Sequence, residues 1–475
     1  MDKRTYVTTP IYYSNAKPHI GHAYSTILGD VFTRYRELVG EDTFFLVGTA
    51  DHGQKIEKRA RDEGTTPQTL TDANVALFKD LYGALTISND FFIRNSDQEH
   101  HWPGAQALWN KLVEAGDIYK DAYEGLYCVG CEKFLTEKDL VDGRCPDHDQ
   151  VPEKVVEENY FFRLSKYADQ LRNVISNEDI KLYPSVRKNE LLAFVDAGLE
   201  DVSFSRPKEK VGWAIPVPND PSQNMYVWCE ELSNYISAIG YGRDEKQFST
   251  IWPADLHIVG KDILRFHALI WPAMLLSANL PLPKNILAHG LIISGGKKMS
   301  KTIGNVIDPN ELIERYGAEA TRYLLARHIH PFEDSDVTWE KLDEWYTAGL
   351  VNGIGNVTSR IMKLAEQYLG QSIDRPEPEP FPKAYVEAFN AFECSHAVDV
   401  VWEYIQEIDE RIAEEEPFKV VKNDVEEGKR MIAKLARDLY VVGRLLQPIM
   451  PDTSSIIKRA VLENKKPDNL FPRLT

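Results

Sequence analysis

Apolar and polar positions alternate along the first residues of the chain with two different periods. The apolar run "TYVTT" at 5–9 predicts a strand, and "TFFLVGTADHG" at 43–53 predicts a second strand that ends in a polar loop. Between the two runs, apolar residues recur at the spacing of one helix face: Ala23, Ile27, Val31, Tyr35 and Leu38. This alternation predicts a parallel sheet with helices on its faces, which is an α/β fold.

The pattern changes twice further along the chain. Near residue 117 the stretch "GDIYKDAYEGLYCVGCEKF" is strand-like and carries cysteines, and the earlier alternation returns in "LHIVGKDILRFHALIWPAMLL" and "ILAHGLIISGGKKMSKT". This order predicts a doubly wound, Rossmann-like sheet that contains an insertion. From about residue 346 the spacing becomes helical, and one helix face is formed by Val401, Ile405, Ile408 and Ile412.

These changes predict the boundaries of the domains. The proline-rich stretch "DRPEPEPFP" at 374–382 cannot continue a helix and predicts an extended spacer inside the helical region. The expected parts are a first half of the Rossmann-like domain at 1–116, an insertion at 117–223, a second half at 224–294, a connecting segment at 295–345, and a helical domain at 346–475.

Composition and charge exclude several classes of protein. The chain has 475 residues with 43% hydrophobic residues, which is enough to build more than one packed domain. No apolar stretch reaches the roughly 18 residues of a membrane span, and "MDKRTYVTTP" lacks a signal-type apolar run. With no such span, we expect no membrane partner. Five cysteines are too few for a disulfide framework, which fits a reducing compartment, so we expect a cytoplasmic protein. The net charge of −18 argues against indiscriminate nucleic-acid binding but leaves room for a local basic track.

Two histidines stand between the first strand and the first helix, in "PHIGHAY". A helix that follows a parallel strand points its free N–H groups at the crevice, where an anionic phosphate is favoured. Gly21 lets a ligand approach the backbone, and the imidazoles of His19 and His22 supply hydrogen bonds. The pattern by itself is weak, because two ordinary surface histidines around a glycine also occur by chance.

A lysine pair strengthens the phosphate interpretation. In "SGGKKMSKTIGN" the glycines predict a mobile loop that carries Lys298 and Lys301 directly after the last apolar strand. Two ammonium groups can follow a polyphosphate and stabilise charge on a leaving pyrophosphate. A solvated basic loop is the simpler interpretation of such lysines. We nevertheless expect both loops to follow strands of one sheet, and so to open at the same edge.

Two ligand pairs indicate a metal site within the insertion. Cys128-x-x-Cys131 is followed by Cys145-x-x-His148, a spacing that suits one tetrahedral Zn²⁺. With all four positions filled by protein, the ion would be structural and would stabilise a segment too small to build a large core. Buried free cysteines are the alternative. Cys229 and Cys394 lie outside this pattern and are expected in the core.

At this point the chain resembles a known family. "HIGH" at 19–22 and "KMSKT" at 298–302 are similar to the two signatures of the class I aminoacyl-tRNA synthetases, and the methionyl-tRNA synthetases resemble it most. The resemblance extends through "GLYCVGCEKF", "MYVWCEELSNY" and "GNVIDP" to "LFPRL". It implies that methionine attacks the α-phosphate of ATP, that pyrophosphate leaves, and that the aminoacyl group passes to the 3′ end of tRNA(Met). It also implies Mg²⁺ bound with ATP.

The resemblance also implies roles for individual residues. His19 and His22 would stabilise the α-phosphate, and Lys298 and Lys301 the departing pyrophosphate. The expected ATP contacts further include Gly21, Gly260, Asp262 and Ser300. The expected methionine pocket is formed by Ile11, Tyr13, Trp228, Tyr235, Ile263 and His267, with the hydroxyl of Tyr235 and the ring of His267 near the sulfur. Trp228 and Tyr235 have a plainer interpretation as core aromatics.

The family pattern fails at two points in the pocket. Where the family carries "GTDEHG", this chain has "GTADHG", so Ala50 replaces the aspartate expected to bind the substrate ammonium group, and Asp51 is one position late. Three residues after Trp228, Glu231 stands where the family has a small alanine. We hypothesise that Glu231 takes over the lost role. Asp51 is the competing candidate, and Glu231 pointing to solvent is the alternative.

The helical domain carries residues suited to reading a single-stranded base. Asn356 and Arg360 lie four residues apart, on one helix face, and match the family's anticodon contact. Phe418 takes the place of a stacking tryptophan. The simpler interpretations are a solvated charge for Arg360 and an apolar helix-start contact for Phe418. The chain ends at 475 without an appended module, and we expect a monomer.

Three alternatives remain open at the level of sequence. A duplicated synthetase could activate another amino acid, because Ala50 and Glu231 alter the site that defines the substrate. A non-catalytic tRNA-binding protein on the same fold would not need the histidine and lysine signatures. A small nucleotidyltransferase shares the His-x-Gly-His pattern but does not need the cysteine-bearing insertion, the lysine loop or the helical domain.

Overall fold

The computed structural model describes residues 3–130, 132–135, 137–146, 149–299, 305–377 and 379–474. The chain divides into two compact units. Unit 1 contains residues up to 18 together with 42–80 and 88–288, and unit 2 contains 19–41, 81–87 and the residues from 289 onward.

The strands of the described residues fall into one large and three small sheets. In chain order they are β1 (Thr5–Tyr13), β2 (Thr43–Ala50), β3 (Phe91–Arg94), β4 (Ile118–Cys128), β5 (Lys133–Leu135), β6 (Glu153–Phe162), β7 (Lys181–Tyr183), β8 (Val202–Ser203), β9 (Ser205–Pro207), β10 (Pro216–Val217), β11 (Asp220–Met225), β12 (Leu256–Gly260), β13 (Asn285–His289), β14 (Ile292–Ser294), β15 (Lys297–Lys298) and β16 (Ser335–Asp336).

The helices are distributed over both units. In chain order they are α1 (Ile20–Leu38), α2 (Gln54–Asp62), α3 (Pro67–Ala84), α4 (Trp102–Glu114), α5 (Ala168–Ser176), α6 (Val186–Asp196), α7 (Val227–Ser237), α8 (Glu245–Ile251), α9 (Trp271–Ser277), α10 (Pro309–Tyr316), α11 (Ala318–His328), α12 (Trp339–Trp345), α13 (Asn356–Tyr368), α14 (Lys383–Asn390), α15 (Cys394–Glu415), α16 (Pro417–Asn423), α17 (Val425–Leu445) and α18 (Pro451–Glu463).

The predicted parallel sheet is confirmed, in the order β3-β2-β1-β12-β13-β7. β1 pairs in parallel with β2 and with β12, β2 with β3, and β13 with β7. Strand order reverses between β1 and β12, and in such sheets ligands bind outside the carboxyl ends of the strands at that point. The ends of β1, β2 and β12 therefore mark the expected crevice of unit 1.

Pro10 disturbs the ladder just before that edge. It has no N–H to donate, and the register between β1 and β2 shifts between Thr8 and Ile11. After the shift, Ile11 lies opposite Gly48, and Cδ1 of Ile11 is 3.2 Å from the position that a Cβ at Gly48 would occupy. A side chain at Gly48 would also meet the Ile93 carbonyl at 2.4 Å, so only glycine fits there.

The strand-like, cysteine-bearing stretch after residue 117 does form strands, as predicted. β4 pairs antiparallel with β5 and β6 in a four-stranded sheet of order β5-β4-β6-β8, and β9, β10 and β11 form a second antiparallel sheet. These sheets follow β3 and precede β12 in the chain, so they interrupt the parallel α/β pattern.

Unit 2 packs its helices around apolar stripes. The predicted face of α15 is confirmed, because all four of its aliphatic residues are buried: Val401, Ile405, Ile408 and Ile412. Arg322 of α11 is fully buried and is neutralised by Asp30 of α1 at 2.7 Å. It also donates to the carbonyls of Ile449, Pro448 and Leu85, which satisfies a charge that would otherwise be costly to bury. The described residues of 374–382 form neither helix nor strand, as predicted for the spacer.

One structural expectation from the sequence is wrong. The stretch "ILAHGLIIS" is two strands, because β13 ends at His289 and β14 begins at Ile292. β14 belongs to a separate three-stranded sheet of order β15-β14-β16, so the glycine turn before Lys298 does not directly follow a strand of the large sheet. At Gly290 a Cβ would lie 2.1 Å from the Glu333 carbonyl, and this close approach allows the chain to leave one sheet for the other.

Among the described residues, no helix is long and apolar enough to cross a membrane.

Candidate functional site

Helix α7 presents three of the predicted pocket residues. Trp228, Glu231 and Tyr235 stand at positions i, i+3 and i+7 of this helix and therefore share one of its faces. All three are buried, with 5%, 5% and 1% of their surface exposed. Tyr6 of β1 donates a hydrogen bond to the Tyr235 carbonyl at 2.8 Å, which fixes α7 against the large sheet.

Aromatic rings form one wall of the pocket. The Trp228 ring stacks on Phe266 with centroids 3.7 Å apart, and Tyr13 at the end of β1 packs against the same cluster. Ile263, in the short turn after β12, packs there as well. Phe266 begins a π-helical stretch, Phe266–Ile270, a rare geometry that often accompanies functional sites. Sequence reasoning missed Phe266, although it directly precedes His267 in an aromatic-rich stretch.

Tyr235 and His267, the polar side chains expected near the substrate sulfur, already hydrogen-bond within the protein. Nδ1 of His267 lies 3.0 Å from the Ile263 carbonyl, and because a carbonyl only accepts, Nδ1 carries the proton. Burial lowers the pKa of His267 to about 4, so Nε2 is unprotonated near neutrality. It accepts a hydrogen bond from the Tyr235 hydroxyl at 2.8 Å. Neither ring hydrogen nor hydroxyl hydrogen is then left for a thioether sulfur.

Glu231 is a buried carboxylate without a complete set of partners. Its Oε2 makes no hydrogen bond within the described part of the chain, and the same holds for the Tyr13 hydroxyl and Trp228 Nε1. Burial, and then the charge of neighbouring Glu230, raises the pKa of Glu231 well above its usual value. The charge of Glu231 in turn contributes to the raised pKa values of Tyr13 and Tyr235, which places these side chains around one centre. An unpaired buried carboxylate favours a cationic ligand.

Asp51 is fully satisfied by the protein. β2 ends at Ala50, so Asp51 is the first residue after the strand, and it is 0% exposed. Oδ1 accepts from Ser14 at 2.8 Å and Thr49 at 3.0 Å, and Oδ2 accepts from Arg94 and Ser96, both at 2.6 Å. These four bonds fill the acceptor capacity of the carboxylate.

A buried contact between His52 and Glu230 of α7 was not predicted from the sequence. His52 Nδ1 lies 2.8 Å from Glu230 Oε1, with both side chains almost completely buried. Burial raises the pKa of Glu230, and His52 opposes that rise. His101 Nε2 approaches Glu230 at 4.0 Å, and burial lowers the pKa of His101 to about 3. The signal in the sequence was only that His52 and Glu230 are next to the two candidate carboxylates.

The predicted adenosine contacts stand at the end of β12. Gly260 is the last residue of this strand and is buried, whereas Asp262 is exposed in the short 3₁₀ turn Lys261–Ile263. This is the carboxyl end of the strand next to β1, where the reversal of strand order predicts a ligand.

In unit 2, His19 and His22 form one stacked unit at the start of α1. Their ring centroids are 3.7 Å apart, and each Nδ1 accepts a backbone N–H, from Gly21 and from His19 respectively. Each neutral ring therefore carries its proton on Nε2. Burial, and after it the electrostatic influence of the neighbouring His19 ring, hold the pKa of His22 well below its usual value. A Cβ at Gly21 would lie 3.0 Å from the His19 ring, which explains the glycine between the histidines.

Only part of the lysine signature lies among the residues that the structure describes. The backbone of Lys298 lies in β15, opposite Ile293 of β14, and the two strands are joined by Gly295 and Gly296. Ser300 and Lys301 lie outside the described residues, as does the side chain of Lys298.

Two of the four predicted metal ligands come together. Cys128 and Cys145 are buried in one small cluster with Leu135, and neither is in a disulfide. The chain around Cys145 turns tightly, because its N–H donates to the Gln150 carbonyl and its carbonyl accepts from Asp149. Cys131 and His148 lie outside the described residues, and within those residues no group of three or more His, Cys, Asp or Glu is arranged to hold a metal ion.

The predicted base-reading residues are on helices of unit 2. Asn356 begins α13 and is exposed, and Arg360 follows one turn later, half-buried and paired with Asp409. Phe418 is half-buried in the first turn of α16. The shared helix is confirmed, whereas the role of these residues stays a prediction.

Comparison with known proteins points to one family. The family model of class I tRNA synthetases (M) matches residues 5–155 and 148–362. The methionine–tRNA ligase of Caldanaerobacter subterraneus is 41% identical over 468 residues, covering 95% of this chain and 73% of that protein. The ligase of Thermotoga maritima is 40% identical over 479 residues, covering 97% of this chain and 76% of that protein.

Solved structures agree with the sequence comparison. The methionyl-tRNA synthetase of Mycobacterium tuberculosis in complex with methionyl-adenylate superposes with a TM-score of 0.90 at 34% identity, covering 99% of this chain and 100% of that chain. The apo form of that enzyme gives a TM-score of 0.83 at 31% identity, covering 100% of this chain and 99% of that chain.

Proposed function

The chain belongs to the class I methionine–tRNA ligases, and from this premise we propose that it activates methionine with ATP and transfers the methionyl group to tRNA(Met). The observation that carries an amino-acid substrate is the buried Glu231, whose Oε2 lacks a hydrogen-bond partner among the described residues. A desolvated ammonium group is the ligand that such a carboxylate favours.

The ammonium group of methionine binds Glu231 in this proposal. Ala50, which replaces the expected aspartate, has no charge to offer, and the Asp51 carboxylate already accepts four hydrogen bonds. The partner of the substrate has thus moved from the end of β2 to α7. Glu230, although adjacent, is engaged by His52 and does not compete.

The methionine side chain is recognised mainly by shape. Trp228, Phe266 and Tyr13 provide an aromatic wall, and polarisable sulfur contacts aromatic rings favourably. The Tyr235 hydroxyl and the His267 ring N–H already donate hydrogen bonds within the protein. A specific hydrogen bond to the sulfur therefore contributes little to methionine affinity. Ile11, at the end of β1, completes the apolar lining.

Catalysis is electrostatic in this proposal. His19 and His22 donate hydrogen bonds from Nε2–H to oxygens of the α-phosphate, where negative charge develops as methionine attacks. The lowered pKa of His22 keeps that ring a neutral donor near pH 7. Gly260 and Asp262 contact the adenosine ribose, and Lys298, Ser300 and Lys301 receive the leaving pyrophosphate, with Mg²⁺ carried by ATP sharing that charge.

A structural zinc ion fits the described half of its predicted site. Cys128 and Cys145 provide two soft thiolate ligands in one buried cluster, and Cys131 and His148 would complete the tetrahedron. The ion would crosslink the antiparallel insertion and would take no part in the reaction. Asn356, Arg360 and Phe418 would contact the anticodon. The domain limits given above, a cytoplasmic location and a monomeric state belong to the same proposal.

Amino-acid-dependent exchange of pyrophosphate into ATP tests this function. Each of the twenty amino acids is assayed separately, together with norleucine, which has the shape of methionine without its sulfur. We expect methionine to give the highest kcat/KM, with norleucine second. Exchange dependent on a different amino acid would mean that the carboxylate at Glu231 has changed the substrate, and no exchange with any of them would overturn the enzymatic assignment.

A further inference from the structure

The turn in the short sheet that carries Lys298 is held by the carboxylate of Asp336. We name the segment Ile292–Lys298, which comprises β14, the two glycines and β15, the lysine hairpin. Gly295 and Gly296 have φ angles of +63° and +71°, so the turn is of the two-residue kind in which both positions adopt the left-handed region. Only glycine adopts this conformation at little cost, and neither glycine has packing neighbours around a would-be Cβ.

The turn is held from outside the hairpin by Asp336. β16 lies parallel to β14, with Asp336 opposite Ile293, so its side chain reaches the turn. Oδ1 accepts the Gly296 N–H at 3.0 Å, and the Gly295 N–H also interacts with this carboxylate. Two consecutive N–H groups at a positive-φ turn point at one anion, which is a favourable arrangement for a carboxylate.

Asp336 is itself fixed in place. Lys341, at the start of α12, donates to Asp336 Oδ2 at 3.0 Å and to the Asp336 carbonyl at 2.9 Å. The backbone around it continues the ladder, because Ser335 N–H donates to Leu291 and Val337 N–H donates to Ile293, both at 2.9 Å. On the other side of the turn, the Asn305 amide donates to the Ser294 carbonyl at 3.1 Å. Asp336 therefore links the glycine turn of the hairpin to Lys341 of α12.

We infer that Asp336 is a positioning residue for adenylate formation, which sets the orientation of the lysine hairpin and hence of the backbone that presents Lys298. This inference rests on the proposed function, since it assigns Lys298 to the leaving pyrophosphate. The hydrogen bonds from Gly296 and Lys341 hold the pKa of Asp336 below its usual value, so the carboxylate is ionised throughout the neutral range. An anchor of this kind acts on the transition state, because the charge on pyrophosphate develops only as the bond breaks.

The test compares Asp336→Ala and Asp336→Asn with wild type in methionine-dependent pyrophosphate exchange. Asp343→Asn is the matched control, because Asp343 is a carboxylate of α12 that pairs with Arg315 and makes no contact with the hairpin among the described residues. We expect kcat to fall by about tenfold in Asp336→Ala, with less loss in Asp336→Asn, while the methionine KM and Tm stay at the wild-type values. Asp343→Asn should retain the wild-type kcat.

A second readout follows the hairpin itself. Trypsin should cleave after Lys297 or Lys298 faster in Asp336→Ala than in wild type, with the cut sites identified by mass spectrometry. A wild-type kcat in Asp336→Ala would overturn the inference, and so would a kcat that falls only in parallel with Tm. If wild type itself shows no methionine-dependent exchange, the proposed function fails. In that case the tryptic assay still tests the anchor, and an Asp336→Ala protein that is cleaved at the wild-type rate would reject it.

Discussion

At the scale of single residues, the pocket is distinguished by where its charge is located. Glu231 is buried and lacks a partner for Oε2 among the described residues, whereas Asp51, equally buried, has four donors. Both carboxylates are buried, but only Glu231 has an oxygen left to accept a hydrogen bond from a ligand. This difference makes the two side chains a natural pair for substitution.

Glu231→Gln should raise the methionine KM in pyrophosphate exchange by about 10- to 100-fold, because it keeps the shape but removes a charge-assisted bond of about 1.5–3 kcal/mol. Asp51→Asn should leave that KM close to wild type. It should instead lower Tm, because it weakens the contact with Arg94. A raised KM in Asp51→Asn together with a normal KM in Glu231→Gln would reject the assignment of Glu231.

The affinity for methionine should depend on pH through the same residue. Burial and the charge of Glu230 raise the pKa of Glu231 in the free protein, and a bound ammonium group lowers it. Binding then releases a proton at pH values between the pKa of Glu231 in the complex and its higher pKa in the free protein, so the Kd should fall as pH rises through this range and level off above it. Isothermal titration of methionine should show this slope in wild type and lose it in Glu231→Gln. An equal slope in both proteins would show that another group is titrating.

At the scale of elements, the antiparallel insertion depends on a short, cysteine-bearing region. The cluster around Cys128 and Cys145 contains only one further buried apolar residue among those described, Leu135, and this is little core for a stable hairpin. A structural metal ion would supply the missing free energy.

Cys145→Ala should therefore lose stoichiometric zinc, become more sensitive to proteolysis between β4 and β6, and lose aminoacylation. Cys394→Ala is the control, because Cys394 is equally buried but lies in α15, outside the predicted ligand set. Metal analysis by mass spectrometry checks the first expectation directly. Active wild-type protein that contains no stoichiometric zinc would disprove the metal site.

At the scale of the whole molecule, the proposed work is divided between two compact units. Glu231 and its pocket belong to unit 1, and Arg360 belongs to unit 2. The side chains of the Arg360–Asp409 ion pair are 36% and 43% exposed, so removing the pair should cost no more than about 1 kcal/mol of stability.

Arg360→Ala should raise the tRNA KM in aminoacylation by about tenfold and leave pyrophosphate exchange unchanged, because the proposed role of Arg360 is in RNA binding alone. Arg411→Ala is the matched control, since Arg411 forms a similarly exposed pair with Asp438 and has no predicted RNA contact. Loss of exchange in Arg360→Ala would show that this arginine supports the fold.

The sequence by itself determined the elements and the chemistry whose signals are local. Buried strands, amphipathic helices and the proline-rich spacer follow from periodicity and backbone constraints, and β1, β2, α1 and α15 formed where these rules place them. Tertiary structure decided what depends on partners distant in the chain. Asp51 is occupied because Arg94, at the end of β3, and Ser96, just after it, donate hydrogen bonds to it, and Glu230 is occupied by His52, 178 positions away. The glycine turn before Lys298 lies in a small separate sheet, because β14 pairs with β16, which is distant in the chain, as well as with the neighbouring β15. Periodicity reports which side chains are buried, but only the packed fold determines which buried charges already have a partner.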